Sequence, residues 1–508
     1  FILDSTLVEQ GNYTILIPRD NITFEGLGPE SVLKIADGMN DRYPTINAPN
    51  LFLKTTLLQN FSLINFMVDW NGSNNLLTAE HKARSNAVLY GSGGGKNILV
   101  KKLIVKDLPG NQAIFFPDVD VEAVGAGSII VEECEFLNCG SGLVGNYNTD
   151  HSTVFLSGKG DRIRNNKFKS TGTVLGSPFE IHGPNAQAYG NDVENYTIGF
   201  WIAPHVNDLK DTLVSDNLFR GVILAWGWGA GQGVGESGGY VQIRNNKFYF
   251  RDDAETYRPG DVFSIEGAKV DTKRLLVDNN EFILNTPANK VFMQVYKTKN
   301  FIFTRNKLEN FNKQVILFAN YNFGDAYALD SFVVDSNKIV NCGSTMDVIN
   351  VENGGTGLKA RVIKVNNNDI IQDAVTTTNA IRLNLPVDFG EILNNNISVN
   401  YQNPFYLFSV ASSVKVRHIG DKDQAEGIYG DITSEVTNRL TGTKFTKKAT
   451  NSSSWKKTLL GTAAPASGVF NVGDEVINTT PTAGGYKGWV CTASGNPGRW
   501  KGFGLIQD

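Results

Sequence analysis

The stretch DRIRNNKF, residues 161–168, and its counterpart GYVQIRNNKF, residues 239–248, each place an asparagine pair between two short apolar strands. Their shared tripeptide, asparagine-any-apolar, recurs along most of the chain, beginning at Asn166, Asn191, Asn217, Asn246, Asn280, Asn306, Asn337, Asn368 and Asn395. Successive asparagines are 25, 26, 29, 34, 26, 31, 31 and 27 residues apart. Repeats of this length with several short strands each are typical of a solenoid, in which each repeat packs on its neighbours.

The repeats predict an all-β fold. Helical periodicity is absent between residues 50 and 410, and each repeat holds alternating β stretches separated by turns. We therefore predict a right-handed parallel β-helix, a single-stranded solenoid in which every coil adds one strand to each of three sheets. The asparagines would stack at one corner, because asparagine tolerates a left-handed turn and its amide can bond to the same group one coil away. Cys134, 32 residues before Asn166, takes the same position one coil earlier.

Three segments follow from this pattern. Residues 1–400 are predicted to form the β-helix, with the substrate-binding or catalytic site, and residues 401–454 a transition that ends in the polar linker KKATNSSSWKK. Residues 455–508 are rich in glycine, aromatic residues and short β runs, which indicates a small C-terminal β domain. Its Trp489 and Trp500 are expected to pack in a small core or an interface rather than to bind sugar.

Composition limits the classes of partner and the environment that we expect for this protein. A net charge of −4 and a pI near 5.9 give no support for nucleic acid or an anionic membrane surface as a partner. No apolar run approaches the roughly 20 residues of a membrane span and no signal peptide is found, so membrane insertion is not expected. Because the chain begins with Phe1, we expect a fragment or a processed form. The four scattered cysteines are expected to be buried free thiols; they are Cys134, Cys139, Cys342 and Cys491.

Candidate site residues come from the alternation of side chains along a strand. In SPFEIHG, residues 177–183, it places Phe179 and Ile181 inside and Glu180 and His182 outside. Over roughly residues 150–300, other acids, histidines and aromatic residues are predicted on the same outward stripe, as in a carbohydrate groove. The candidate catalytic residues are Glu180, Glu266, Asp150, Asp208, Glu236 and His182. The candidate substrate-binding residues are Trp201, His205, Trp226, Trp228, His151 and Tyr296.

Coil spacing restricts the carboxylate pairs. Glu180 and Glu266 are three coils apart, about 14 Å at roughly 4.8 Å per strand. Glycosidases need carboxylates about 5–9.5 Å apart, so these two are not a direct pair. Glu180 is matched instead with Asp150 or Asp208, Glu266 with Glu236, or either with a residue of a neighbouring subunit. No cofactor and no metal site are predicted, although an acidic loop at Asp252, Asp253 and Glu255 leaves a structural divalent cation open.

Several stretches together resemble a known class of protein: TILIP (14–18) with ITFEGLG (22–28), FEIHGPNAQAYGNDV (179–193) and VGDEVINTTPTAGGYKGWVCTASGNPGRW (472–500). With the asparagine repeat, they look like a bacteriophage tailspike or tail appendage with a pectin-lyase-like β-helix. The layout is similar to depolymerase tailspikes and to preneck appendage proteins of small Bacillus podoviruses. The resemblance implies a homotrimer in the virion tail, contact with other tail proteins, and binding or cleavage of a host surface glycopolymer. It also implies that the C-terminal β domain serves trimerisation or glycan binding.

Four functions remain open. The leading hypothesis is hydrolysis of a capsular polysaccharide, an O-polysaccharide or wall teichoic acid by paired carboxylates. A polysaccharide lyase would instead need a uronic acid substrate and a base such as His182 or His205. A teichoic acid phosphodiesterase is kept open by the likeness to Bacillus appendages, and a non-catalytic receptor-binding spike could use the same groove. No motif separates binding from cleavage.

Overall fold

A computed structural model gives the structure of the chain. It describes residues 2–3, 13–39, 50–77, 86–117, 128–144, 151–202, 211–228, 240–251, 266–267, 272–288, 292–295, 298–319, 327–352, 359–384, 387–398, 400–401, 403–407, 414–420, 434–438, 444–447 and 456–507. The chain divides into two compact units, Phe1–Thr286 and Pro287–Asp508. Each unit contains stacked parallel strands, so the predicted right-handed parallel β-helix is confirmed as the fold class.

The first unit stacks its strands in three parallel sheets. The corner sheet, which follows the asparagine repeat, contains β1 Ile2–Leu3, β4 Val32–Ile35, β7 Met67–Asp69, β10 Ile104–Lys106, β13 Glu135–Leu137, β16 Lys167–Val174, β19 Asp192–Tyr196, β22 Leu218–Val222, β25 Lys247–Phe250 and β28 Glu281–Ala288. The site sheet contains β2 Tyr13–Leu16, β5 Asn50–Lys54, β8 Leu89–Gly91, β11 Ile114–Phe116, β14 Ser152–Leu156, β17 Ser177–Ile181, β20 Trp201–Ile202 and β23 Gly227–Trp228.

The third sheet completes each coil. It contains β3 Ile22–Glu25, β6 Leu58–Ile64, β9 Gly95–Lys101, β12 Ile129–Glu132, β15 Arg162–Arg164, β18 Gln187–Tyr189, β21 Thr212–Ser215, β24 Tyr240–Arg244 and β27 Thr272–Asp278. Among the described residues of this unit, the remaining elements are a short strand, β26 Glu266–Gly267, and two 3₁₀ turns, Gly72–Asn74 and Gly142–Val144.

The asparagine repeat forms a buried hydrogen-bonded ladder. In the first unit, the side-chain oxygen of Asn217 accepts from both the backbone N–H and the amide of Asn191, at 3.0 and 2.9 Å. Its own amide donates to the carbonyl of Ala188 and to the side-chain oxygen of Asn246. Asn217 is 2% exposed. Because every polar group at this corner has a partner on a neighbouring coil, the ladder sets the stacking of coils.

The ladder position and the left-handed turn belong to different residues. The turn is made by the residue before each ladder asparagine, whose φ lies between 54° and 57° at Asn165, Asp216, Asn245, Asn279, Arg305, Ser336, Asn367 and Asn394. This corrects the expectation that one asparagine serves both purposes. The turn residues form a second, exposed row of bonds, as between Asn279 and Asn245 at 2.9 Å.

Aromatic stacking fills the core beside the ladder. Ring centroids are 4.9 Å apart for Phe136 and Phe168, and 4.6 Å apart for Phe219 and Phe248. These separations match the roughly 4.8 Å between neighbouring strands, so identical inward positions stack without rotamer strain. Cys134 occupies the ladder position as predicted, and its N–H donates to the side-chain oxygen of Asn166. All four cysteines are free and buried, as expected.

The second unit repeats the pattern. Its corner strands are β31 Lys307–Phe311, β34 Lys338–Val340, β37 Asp369–Ile371 and β40 Asn396–Ile397. A second sheet contains β29 Met293–Val295, β32 Ile316–Ala319, β35 Ile349–Glu352, β38 Asn379–Asn384 and β41 Asn403–Leu407, and a third begins with β30 Thr298–Thr304, β33 Tyr327–Asp335, β36 Lys359–Asn366, β39 Val387–Leu393 and β42 Val414–Gly420. The ladder also continues, since the amide of Asn337 donates to Asn368 and that of Asn368 to Asn395.

The end of the chain changes from parallel to largely antiparallel pairing. β43 Ser434–Asn438 still pairs in parallel with β42, whereas β44 Lys444–Lys447 pairs antiparallel with its neighbours on both sides. β45 Lys456–Gly461, β46 Glu475–Asn478, β47 Tyr486–Ala493 and β48 Arg499–Leu505 form the small C-terminal sheet. Trp500 packs edge-on against Phe470, with ring centroids 5.1 Å apart. The predicted boundaries at residues 400 and 455 stay a prediction.

Among the described residues, no helix is long and apolar enough to cross a membrane.

We predict that the ladder asparagine is far less replaceable than the turn residue beside it. N217G removes one hydrogen-bond partner from each of four buried polar groups, at a cost of about 3 kcal/mol or more in the free energy of unfolding. N245G removes only exposed bonds and suits a left-handed φ, so the change is below about 1 kcal/mol. Denaturant unfolding of both variants measures the difference, and equal costs would contradict the assignment of the ladder.

Candidate functional site

The outward positions of the site sheet form a continuous row across six coils. The strand registers align them in the order Tyr90, Phe115, Phe155, Glu180, Trp201 and Gly227. On the same strand as Glu180, Phe179 and Ile181 are 0% and 1% exposed. Phe179 and Ile181 therefore lie inside, as the alternation of SPFEIHG predicts, and Glu180 is the one acid among these six aligned residues.

Glu180 is held by hydrogen bonds on both carboxylate oxygens. Ser152, on the preceding strand, donates its hydroxyl to Oε2 at 2.7 Å, and Nε2 of His182 lies 2.7 Å from Oε1. The residue is 9% exposed. A carboxylate this enclosed and this well bonded is pre-organised, which is typical of a functional acid rather than a solvated surface charge.

His182 is fixed by packing as well as by its bond to Glu180. Its ring stacks on Phe155, with centroids 4.3 Å apart and planes at 30°, and the residue is 5% exposed. The hydroxyl of Ser152 donates to the carboxylate and not to the imidazole. The order of contacts is thus serine, acid, histidine, which differs from a nucleophilic triad, where the histidine lies between the other two.

Partly exposed aromatic residues flank Glu180 on both sides along the coil axis. Tyr90 stacks on Phe115 at 5.0 Å, and Phe115 contacts Phe155 edge-on at 5.3 Å. On the other side, Trp201 is partly exposed and its six-membered ring covers Gly227, where a Cβ would collide with Cε3 of the indole. Burial raises the pKa of Tyr90. Glu180 therefore lies within an apolar strip, an arrangement that suits the apolar faces of sugars.

The other two sheets present a different surface. Their outward rows carry ion pairs between coils, such as Lys167 with Glu135 at 2.6 Å on the corner sheet and Lys101 with Glu132 at 2.7 Å on the third sheet. By contrast, the site-sheet strands from Leu89 to Trp228 contain neither lysine nor arginine. The outward surface of the site sheet is thus set apart chemically from the other two.

Trp226 is wrongly predicted as a substrate-binding residue. It is 0% exposed and its ring stacks on Phe200 at 5.9 Å inside the coil. The reason is the register, which aligns Gly227, not a tryptophan, with Trp201. Trp228 is aligned with the buried Ile202, and its side chain lies outside the described set.

His151 is also wrongly predicted as a substrate-binding residue. It is 1% exposed, and its Nε2 lies 2.9 Å from Oγ1 of Thr153, which in turn bonds to the hydroxyl of Tyr196 at 3.0 Å. Burial lowers the pKa of His151 to about 3. It is a neutral core residue that closes a polar cluster, because loss of hydration disfavours the imidazolium.

Most other candidates fall outside the described residues: Asp150, Asp208, Glu236, His205 and Tyr296. Glu266 lies on the short strand β26, which is not one of the eight strands of the site sheet, and its side chain falls outside the described residues. The proposed pairs of Glu180 with Asp150 or Asp208, and of Glu266 with Glu236, therefore stay predictions. Within the described part of the chain, no three metal-ligating side chains cluster, and the divalent cation also stays a prediction.

Sequence reasoning missed Ser152, Tyr90 and Phe115. The alternation that placed Glu180 outward could have found the two aromatic residues, because LYG and IFF are short strands of the same sheet. Ser152 had no such signal, since its contact with Glu180 depends on the register between two coils.

The buried His151 predicts a pH dependence of stability. Its folded pKa lies below the unfolded value of about 6.5, so its contribution is complete above that pH and is lost as the pH falls towards about 3. The slope is about 1.4 kcal/mol per pH unit. We expect H151Q to lose stability less steeply than the parent between pH 6.5 and 4.5 in denaturant titrations. Parallel slopes for the two proteins would contradict a neutral, buried His151.

No family model and no curated protein matches this chain. Solved structures do match it, among them two variants of the tailspike protein of E. coli bacteriophage HK620 in complex with a pentasaccharide. The variant with a glutamate replaced by glutamine is 14% identical, with a TM-score of 0.51, and the match covers 98% of this chain and 81% of that one. The variant with an aspartate replaced by asparagine is also 14% identical, with a TM-score of 0.50 and the same coverage. At this identity the likeness concerns the fold: the chain has the parallel β-helix fold of a phage tailspike protein.

Proposed function

We propose that this protein is a tailspike-type protein of a phage tail that binds a bacterial surface polysaccharide along the site sheet and cleaves it. The observation that carries the proposal is Glu180, which is enclosed, bonded on both oxygens and flanked by Phe155 and Trp201. The tailspike fold and the saccharide complexes of its structural neighbours support the same function. A virion location and a homotrimer are part of the proposal.

The substrate we propose is a neutral polysaccharide rather than a polyanion. A uronate or phosphate polymer needs cations at its binding surface, and the described site-sheet strands around Glu180 contain none. Aromatic side chains instead contact the apolar faces of sugar rings. An O-polysaccharide or an uncharged capsule therefore fits this surface better than teichoic acid or a uronic acid polymer does.

The reaction we propose is hydrolysis of a glycosidic bond by Glu180 and a second carboxyl group. A partner on an adjacent coil would lie about 5 Å or slightly more from Glu180, within the range that glycosidases use. The partners proposed from the sequence are Asp150, two residues before the strand of Ser152, and Asp208, six residues after the strand of Trp201. A spike that binds without cleaving would use the same aromatic strip.

Substitution of Glu180 tests the proposal. We expect E180Q to lower the rate of reducing-end release about 10³-fold or more, because the amide can neither ionise nor exchange a proton. The assay incubates the protein with purified O-polysaccharides, neutral and acidic capsules and wall teichoic acid, and measures reducing ends and product size. Products absorbing near 235 nm would instead indicate a lyase, and phosphate-bearing products without new reducing ends a phosphodiesterase.

The matched control is E135Q, which replaces a glutamate on the corner sheet that pairs with Lys167. It should retain full activity, since it lies on a different face of the coil. Unchanged activity of E180Q, or no size change of any polymer with the unsubstituted protein, would reject the proposed site or the proposed cleavage, respectively.

Gly227 offers a second test, directed at binding. We expect G227A to displace the ring of Trp201 and to raise KM about tenfold, with a smaller change in kcat. The comparison is W201A, which should give a similar KM if the indole contacts sugar. A normal KM in both variants would show that Trp201 lies outside the binding surface.

A further inference from the structure

Two serines extend the hydrogen bonds of Glu180 into a chain. Ser152 and Ser177 are register partners on neighbouring strands, both are 2% exposed, and their hydroxyl oxygens are 3.0 Å apart. A serine has one proton to donate, and an ionised carboxylate only accepts. Since Ser152 donates to Glu180, the proton between the serines comes from Ser177. The chain therefore runs from Ser177 to Ser152 to the carboxylate.

The second oxygen of Glu180 lies against a ring nitrogen of His182. Nε2 of His182 lies 2.7 Å from Oε1, and stacking on Phe155 holds the imidazole ring in this orientation. An ionised carboxylate is stabilised by donors on both oxygens, whereas a neutral carboxylic acid would have to direct its own proton at one of them. When Nε2 carries the imidazole proton, both oxygens of Glu180 accept a hydrogen bond.

We propose that Ser152 and His182 are positioning residues that keep Glu180 ionised, which makes it the base or nucleophile of the pair and leaves the role of general acid to the second carboxyl group. This inference rests on the proposed function. It gives Glu180 one of the two roles that the residue types alone left open.

The assignment fixes where the protons go. As a base, Glu180 takes a proton from the water whose oxygen bonds to the anomeric carbon; as a nucleophile, it forms that bond itself. In both cases the glycosidic C–O bond breaks, its electron pair stays on the leaving oxygen, and the second carboxyl group protonates that oxygen. In the nucleophilic case, water then hydrolyses the glycosyl-enzyme ester.

The variant S152A tests the role of the serine through the pH profile of kcat/KM on the neutral polysaccharide that the parent cleaves. Loss of one donor should move the acidic limb of the profile to higher pH by about one unit. At pH values below the acidic limbs of both the parent and S152A, kcat/KM of the variant should be about tenfold lower. Above the limbs, activity should stay within about threefold of the parent. A purely structural effect would lower activity at all pH values and leave the limb in place.

The matched control is S157A. Ser157 is 3% exposed and follows the same strand as Ser152, but its hydroxyl makes no hydrogen bond to Glu180. It should leave the limb unmoved. If S152A does not fold, H182F serves as the second variant, because it keeps a ring on Phe155 and removes the Nε2 donor. It should also move the limb to higher pH.

A readout without substrate separates this inference from the proposed function. In protein labelled with ¹³C at the glutamate carboxyl carbon, the NMR signal missing from E180Q reports the ionisation of that group. Its titration midpoint should be about one pH unit higher in S152A than in the parent and in S157A. Equal midpoints and equal acidic limbs would overturn the inference, even with E180Q inactive. An active E180Q would reject the proposed function, whatever the midpoints.

Discussion

The structure depends on one hydrogen bond repeated at the same corner of successive coils. Each buried asparagine accepts from the coil before it and donates to the coil after it, so a missing amide would leave polar groups unpaired on both sides. Aromatic rings stack beside it at nearly the spacing of the strands. Because the ladder determines the spacing and register of the coils, it also determines which outward side chains are aligned across neighbouring coils in all three sheets. Glu180 lies between aromatic neighbours because the ladder aligns the coils.

Periodicity predicts the fold better than the site. The recurrence of Asn-any-apolar was enough for the parallel β-helix, the ladder and the place of Cys134, because these depend on positions that repeat. It failed for Trp226 and His151, where burial follows from single local choices: a glycine takes the position beside Trp201, and a histidine closes a polar cluster with Thr153. The contact of Ser152 with Glu180 joins two coils whose connection has no fixed length, so no spacing rule could predict it.

The outward surfaces of the three sheets in the first unit differ in their side chains. Ion pairs between coils cover the corner and third sheets, where exposed charges keep the surface in water without contributing much stability. In place of such ion pairs, the described strands of the site sheet carry partly exposed aromatic rings and one enclosed acid. That exchange is unfavourable for a surface without a ligand, since apolar rings remain in contact with water, and it is consistent with a face shaped by binding.

The ladder bonds also run in one direction, and this makes each coil a module. Cys134 can begin the row because it only has to supply its backbone N–H to Asn166. In later coils, the ladder asparagine accepts a hydrogen bond from the coil before it and donates one to the coil after it, whatever the length of the loops. Coils of 25 to 34 residues therefore coexist in one stack. A lineage could therefore gain or lose whole coils, or change the loops between strands, and still keep the hydrogen bonds of this corner.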